Sequence, residues 1–258
     1  MKKVILRILK ALVIVLILAI IGFYFWAVVP FDVMEEAELA MLIDEDVKIL
    51  KSEHIYFKPT EKLKKELSKI ENFRNLDLGL IIYPGARVDS AAYSPLARAI
   101  AKKGYTVVLA QMPLDISVLD IKAANKIIKK ESDVESWVIS GHSLGGSMAA
   151  FYTKENLDLI DGLIFLGSYP SESTDLSDSH IKVLSLYGEN DLIATKKEID
   201  EKKSNLPDDT TYVEIKGGNH AQFGWYGDQN GDGKATISYK KQQSIIVEEI
   251  LEFMKKLN

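Results

Sequence analysis

The chain has 258 residues and no cysteine. That excludes disulfides, thiolate metal sites and a thiol nucleophile, and it leaves the redox compartment open. Histidine is almost as scarce, with four in all, so any imidazole chemistry falls to His54, His142, His180 or His220. The first thirty residues lack acidic side chains but carry Lys2, Lys3, Arg7 and Lys10. With those four cations set aside, the whole-chain charge of −5 becomes −9 on the remainder. An acidic body without a basic stripe argues against a nucleic-acid partner. There is no internal repeat and no low-complexity stretch. The apolar share of 47% and charged share of 27% are those of a globular chain holding one large domain or at most two small ones.

The first feature present is an uncharged run over residues 11–29. As a helix it spans roughly 28 Å at about 1.5 Å per residue, close to the thickness of a bilayer's hydrocarbon core. Phe23, Tyr24, Phe25 and Trp26 gather near its far end, where aromatic rings favour the membrane interface. A cleaved signal peptide would have a shorter apolar region and a small-residue cleavage site. Here Val28-Val29-Pro30-Phe31 follows and there is no lipobox cysteine, so the reading is an uncleaved signal-anchor over residues 1–30. Basic residues precede the span, and Asp32, Glu35, Glu36 and Glu38 follow it. The positive-inside rule then puts the N-terminus in the cytoplasm and the rest outside.

Residues 31–46 read as a short acidic connector and 47–258 as one domain. Strands are expected at 47–50, 54–57, 78–83, 105–112, 136–140, 159–166, 181–187 and 211–215. Helices are expected at 59–70, 90–103, 118–130 and 239–256, the last with Ile245, Ile246, Ile250 and Phe253 at helical spacing. Regular β–α alternation with nearly continuous apolar strands predicts an α/β fold: a mostly parallel central sheet covered by helices on both faces. The stretch 167–180 is too short for a separate cap domain, so a shallow lid is the most it can form.

Within that pattern, strand-like residues run into Gly141-His142-Ser143-Leu144-Gly145 and a small-residue helix follows. Gly-x-Ser-x-Gly between a strand and a helix is the setting of a nucleophile elbow, a sharp turn that holds up a serine hydroxyl. Flanking glycines suit it because a side chain there would collide with the neighbouring strand or helix. A serine hydroxyl needs an imidazole to take its proton, and the imidazole needs a carboxylate to fix its tautomer. On this kind of sheet the three come in the order serine, acid, histidine, each on a loop at the carboxyl end of a strand. His142 is inside the elbow and cannot swing round to act as base. His54 precedes the serine, and His180 precedes the strand expected to carry the acid. His220, in a glycine-rich loop after strand 211–215, has the right place. For the acid, strand 181–187 ends in Gly188-Glu189-Asn190-Asp191; Asp191 is the candidate, with Glu189 as fallback and a helix N-cap near Ala194 as the competing use of Asp191.

An oxyanion hole requires the N–H of the residue after the nucleophile and another from the loop after the third strand. Leu144 supplies the first and Ala86 is the candidate for the second. Arg87 and Tyr93, close to that loop, are read as a solvated and a core residue respectively.

With these residues in place, the chain resembles the α/β-hydrolase superfamily over most of 47–258. More narrowly it is similar to compact, capless relatives of the dienelactone hydrolases. The similarity rests on Tyr-Pro-Gly-Ala-Arg-Val-Asp (83–89), Pro-Leu-Ala-Arg-Ala (95–99), Gly-His-Ser-Leu-Gly-Gly (141–146) and Gly-Gly-Asn-His-Ala-Gln-Phe-Gly (217–224). The resemblance implies carboxylic-ester-type hydrolysis through an acyl-enzyme and does not imply a substrate; the expectation is a small-molecule acyl substrate, with no cofactor and no metal. Dienelactone hydrolases use a cysteine nucleophile, which this chain lacks, so that particular reaction is not implied. Ala86 also stands where such loops often carry a second glycine; the N–H survives but the room beside it shrinks.

One further motif, Asp228-Gln-Asn230-Gly-Asp232-Gly233, matches the first half of an EF-hand loop. Its twelfth position is Tyr239 where a bidentate glutamate belongs, so the stretch is expected to be a turn-rich surface loop and not a calcium site. The sequence therefore points to a membrane-anchored serine hydrolase with Ser143, Asp191 and His220 as triad. An acyltransferase with the same triad and a non-catalytic envelope binding domain are the alternatives, and oligomeric state is left open.

Overall fold

A computed structural model describes residues 2–27, 29–42, 44–69 and 77–257. Its helices are α1 (Lys2–Ala27), α2 (Glu35–Leu39), α3 (Glu61–Leu67), α4 (Ser94–Ala101), α5 (Ala123–Lys130), α6 (Leu144–Glu155), α7 (Lys196–Glu201) and α8 (Tyr239–Leu257). Its strands are β1 (Val47–Lys51), β2 (Ile55–Pro59), β3 (Leu78–Tyr83), β4 (Thr106–Leu109), β5 (Ser136–His142), β6 (Gly162–Leu166), β7 (Lys182–Gly188) and β8 (Thr211–Ile215). They form one eight-stranded sheet in the order β1-β2-β4-β3-β5-β6-β7-β8. Strand β2 is antiparallel to both β1 and β4, and every pair from β4 through β8 is parallel. The mostly parallel sheet expected from the alternation is present.

Side-chain alternation explains why both faces are covered. On β3, Leu80 and Ile82 point into one core with α4 and α8, while Ile81 and Tyr83 point into the other with α5 and α6. Strand β4 divides the same way, Val107 and Leu109 against Val108. Such strands are apolar throughout because neither face meets water. Helix α8 buries Ile246, Ile250, Phe253 and Met254, spaced to share one face, against the first core. Burying a side chain of this size contributes about 1.5–3 kcal/mol.

Several boundaries differ from expectation. The strand expected at 105–112 pairs only over Thr106–Leu109; beyond it the Ala110 N–H still donates to the Ile82 carbonyl, then the chain leaves the sheet. The helix expected from 118 begins at Ala123, preceded by 3-10 turns in which Leu114 and Asp115 have φ of 53° and 54°. Helix α3 ends at Leu67, and its expected end at 70 lies outside the described residues. Residues 167–180 hold turns and no regular element.

Helix α1 carries a 20-residue apolar window, Lys3–Gly22, none of it buried by the rest of the chain. By length and composition it is either a signal sequence or an anchor. The side chains of Phe23, Phe25 and Trp26 lie outside the described set, so the aromatic cluster is known from sequence alone. The connector folds back onto the domain: α2 buries Ala37, and the Met34 N–H donates to the Trp225 carbonyl at 3.0 Å.

Candidate active site

Parallel strands bring their carboxyl ends to one edge of the sheet, and there the chain turns sharply from β5 into α6. Ser143 occupies the turn with φ 51° and ψ −123°, a left-handed conformation that a residue with a side chain adopts only when its surroundings hold it there. Strain of this kind costs on the order of 1–3 kcal/mol. Close packing holds it. A Cβ at Gly141 would lie 2.3 Å from the Gly145 carbonyl, and one at Gly145 would lie 2.4 Å from the Tyr83 and Pro84 oxygens. The Ser168 hydroxyl braces the turn from the loop after β6 by donating to the Ser143 carbonyl at 2.6 Å.

The loop after β7 brings Asp191 in, and the loop after β8 brings His220. Both are buried, and His220 Nδ1 lies 2.8 Å from Asp191 Oδ2. A carboxylate only accepts, so the ring donates through Nδ1–H and leaves its lone pair on Nε2. That Nε2 is buried and has no hydrogen-bond partner. The other oxygen, Oδ1, accepts the N–H groups of Ile193 at 2.9 Å and Ala194 at 2.7 Å. Asp191 therefore ties down its own loop while facing His220. It does not cap α7, whose N-cap is Thr195 in a reciprocal box with Glu198. Glu189 points elsewhere, accepting from the Gly217 N–H at 2.8 Å and pairing with Lys216.

His220 rests against the turn. Its ring centroid is 4.5 Å from that of His142, which also stacks on Phe223 at 5.8 Å. His142 is enclosed, and burial first, then the neighbouring His220, holds its pKa well below the ordinary histidine value. It is a neutral ring at neutral pH. Its Nδ1 lies 2.8 Å from the Tyr93 hydroxyl, which also accepts the Gly85 N–H at 3.0 Å. One buried hydroxyl thus joins the loop after β3 to the histidine beside Ser143. Burial pushes the Tyr93 hydroxyl up and keeps it protonated. Tyr93 is a core residue, as its composition suggested, but its hydroxyl has a positional role. The signal for it was only that a tyrosine follows the Gly85 loop within a few residues.

Among the described residues, the N–H groups of Ala86 and Leu144 donate no hydrogen bond to another backbone group. Leu144 opens α6, where the first amides of any helix are left without intrahelical acceptors. Arg87 is not a solvated bystander. Its guanidinium donates to the Val29 carbonyl, at 3.0 Å through Nε, and lies 5.4 Å from the Phe31 ring centroid.

Asp232, from the half EF-hand stretch, braces the same region. Its Oδ2 accepts the Ala221 N–H at 2.8 Å, and its Oδ1 accepts from Gly233 at 2.7 Å and Leu192 at 3.4 Å. It thereby links the residue after Asp191 to the residue after His220. Gln242 supports the histidine loop from α8, accepting the Asn219 N–H and donating to its carbonyl. Among the described residues no cluster of three or more His, Asp or Glu could hold a metal ion. The remaining histidines lie apart. His54 is buried and accepts from the Gln111 N–H at 3.2 Å, and His180 is exposed.

The chain matches the alpha/beta hydrolase family over residues 79–244. No curated protein sequence matches it significantly. Among solved structures it is similar to the carboxylesterase CesB (YbfK) from Bacillus subtilis, with a TM-score of 0.57 at 11% identity, covering 90% of this chain and 97% of that one. A predicted CIB-like hydrolase from Thermoplasma acidophilum gives 0.56 at 18% identity, covering 79% and 96%. An alpha/beta hydrolase from a lagoon-sediment metagenome gives 0.57 at 16%, covering 81% and 98%. At these identities the three establish a shared fold. With the family match spanning well over half its length, the chain belongs to the alpha/beta hydrolase family.

Proposed function

We propose that this chain is a serine hydrolase cleaving a carboxylic ester, lactone or thioester through an acyl-enzyme. The observation that carries the reading is the buried Asp191–His220 pair, with an unpartnered Nε2, its ring packed against His142, the neighbour of a serine held at positive φ. Ser143 Oγ attacks the acyl carbonyl while His220 Nε2 takes its proton. Asp191 stabilises the imidazolium that forms. The N–H groups of Leu144 and Ala86 bind the oxyanion in a water-poor site, where such donors are worth most. When the carbonyl reforms, the bond to the leaving group breaks and His220 delivers the proton to it. Water then attacks the acyl-serine with His220 as base, releasing the acid and restoring the serine.

The B. subtilis neighbour is by name a carboxylesterase, which agrees with this chemistry. The narrower likeness to dienelactone hydrolases supports a compact site, here with serine in place of cysteine. Residues 1–30 serve as an uncleaved anchor in this reading, 31–46 as a connector and 47–258 as the catalytic domain, facing away from the cytoplasm. The length of α1 and its lack of any protein cover support the anchor.

A fluorophosphonate probe tests the chemistry. It should label the wild-type chain at Ser143 and leave Ser143→Ala unlabelled. Equal labelling of the two would mean another nucleophile.

A further inference from the structure

Residues 29–34 form a strap that reaches the site from the apolar helix. The Phe31 N–H donates to the Arg87 carbonyl at 2.9 Å, and Phe31 pairs with Val88 in an isolated parallel bridge. The Arg87 guanidinium holds the Val29 carbonyl, and the Phe31 ring lies 5.2 Å from that of Tyr226. Met34 completes the strap through its bond to Trp225. The strap is thus fastened both to the loop carrying Ala86 and to the segment that follows His220. A cleft of about 350 Å³ opens between them, lined by Phe31, Ala86, Arg87, Asp228, Gln229 and Asn230.

Chain geometry then limits where the helix can end. Helix α1 stops at Ala27, two residues before the clamped Val29. Two residues extend at most about 7 Å. Whatever its tilt, the end of the apolar helix is therefore within about one helix diameter of the strap. Exposed apolar side chains share that edge of the sheet. Val29 lies on the strap, Leu114, Val118 and Leu119 follow β4, and Leu192 follows Asp191. The β4 loop is itself tied to the strap's partner, because the Arg87 N–H donates to the Asp115 carbonyl at 2.8 Å. Single exposed leucines are ordinary on any surface. What distinguishes these, Val29 on the strap aside, is that they follow the carboxyl ends of strands on the edge to which the strap is fastened, Leu114, Val118 and Leu119 on the loop tied to Arg87.

We propose that the strap seats the mouth of the site on the bilayer surface, and that the substrate is an uncharged or zwitterionic acyl amphiphile drawn from that bilayer. The proposal rests on the hydrolase reading and on α1 being an anchor. Charge narrows the class. A chain carrying −9 outside its first thirty residues, with Asp228 lining the cleft as well as Arg87, is repelled by an anionic lipid surface.

The test uses the full chain in phosphatidylcholine vesicles, with a flexible 20-residue Gly/Ser linker inserted between Val28 and Val29. The strap stays intact while the domain is freed from the helix by roughly 25 Å of random coil. Two probes are compared, a fluorogenic oleate ester dissolved in the vesicles and the water-soluble acetate ester of the same fluorophore. The linker should lower oleate turnover about fivefold or more and leave acetate turnover unchanged. Unchanged turnover of both esters would overturn the proposal, as would failure of the unaltered chain to float with the vesicles. Turnover of neither ester by the unaltered chain would instead bring down the hydrolase reading, and this proposal with it.

Discussion

Asp191→Asn separates the two duties of one carboxylate. Oδ1 accepts two backbone N–H groups and Oδ2 accepts the His220 Nδ1–H. The asparagine amide can sit either way round. With its nitrogen toward Ile193 and Ala194 it would leave two enclosed N–H donors without acceptors, at about 1–3 kcal/mol each. With its oxygen there, both bonds survive and the NH₂ faces His220. The ring then accepts at Nδ1 and carries its proton on Nε2. Changing tautomer costs less than losing two buried bonds, so the second orientation wins. The nitrogen meant to take the serine's proton is then already protonated.

Turnover should therefore fall by about 10⁴-fold, or roughly 5.4 kcal/mol of transition-state stabilisation. KM should move little, because no substrate contact is altered. Stability should drop by less than about 1 kcal/mol, since the loop keeps its bonds. Steady-state kinetics on a soluble ester, paired with chemical denaturation, give both numbers. A folded variant with kcat within tenfold of wild type would refute the assignment of Asp191 as the residue that sets the histidine tautomer.

Tyr93→Phe removes a hydroxyl that serves Gly85 and His142 together. Two buried groups lose a partner, so denaturation should show a loss of about 2–4 kcal/mol, and kcat should fall by about 10–100-fold as the Ala86 loop loosens; an unchanged kcat would mean that the tyrosine only packs. Asp232→Ala should destabilise by about 2–3 kcal/mol and slow turnover, with Asp232→Asn recovering part of both. Added Ca²⁺ or a chelator should change neither melting temperature nor rate, because the carboxylate oxygens already accept backbone N–H groups. Burial lowers the pKa values of His142 and His54 in the folded chain. The unfolded chain therefore binds protons that the folded one refuses, and stability is lost as pH falls below the unfolded value of about 6.5. The slope approaches about 1.4 kcal/mol per pH unit for His142 and is shallower for His54, and melting curves from pH 7 to 5 should be flatter for His142→Gln.

What the sequence made legible follows the range of the interactions involved. Strands β3 and β8 fall at their expected limits because an apolar run bounded by turn residues is a local signal. The proposed order of serine, acid and histidine could be drawn from sequence because four histidines leave little to assign and each lies in a distinct strand or loop context. The Tyr93–His142 link was not. It joins residues 49 positions apart, and its energy comes from the scarcity of acceptors inside a core. Arg87 shows the same limit. Its charge and loop setting suggest solvation, but its partners, the Val29 carbonyl and the Phe31 ring, arrive from the far end of the connector. Leu114 defeats a local reading outright, since leucine does not favour the positive φ it adopts beside Asp115, a residue type that tolerates it. Asp232 is the most instructive. Its spacing copies a cation loop, yet backbone N–H groups meet its oxygens where a cation would, because the loops carrying Asp191 and His220 present donors in need of an acceptor. The fold's local signals thus nominate the groups proposed to react, and the long-range polar contacts around them appear only once the chain is folded.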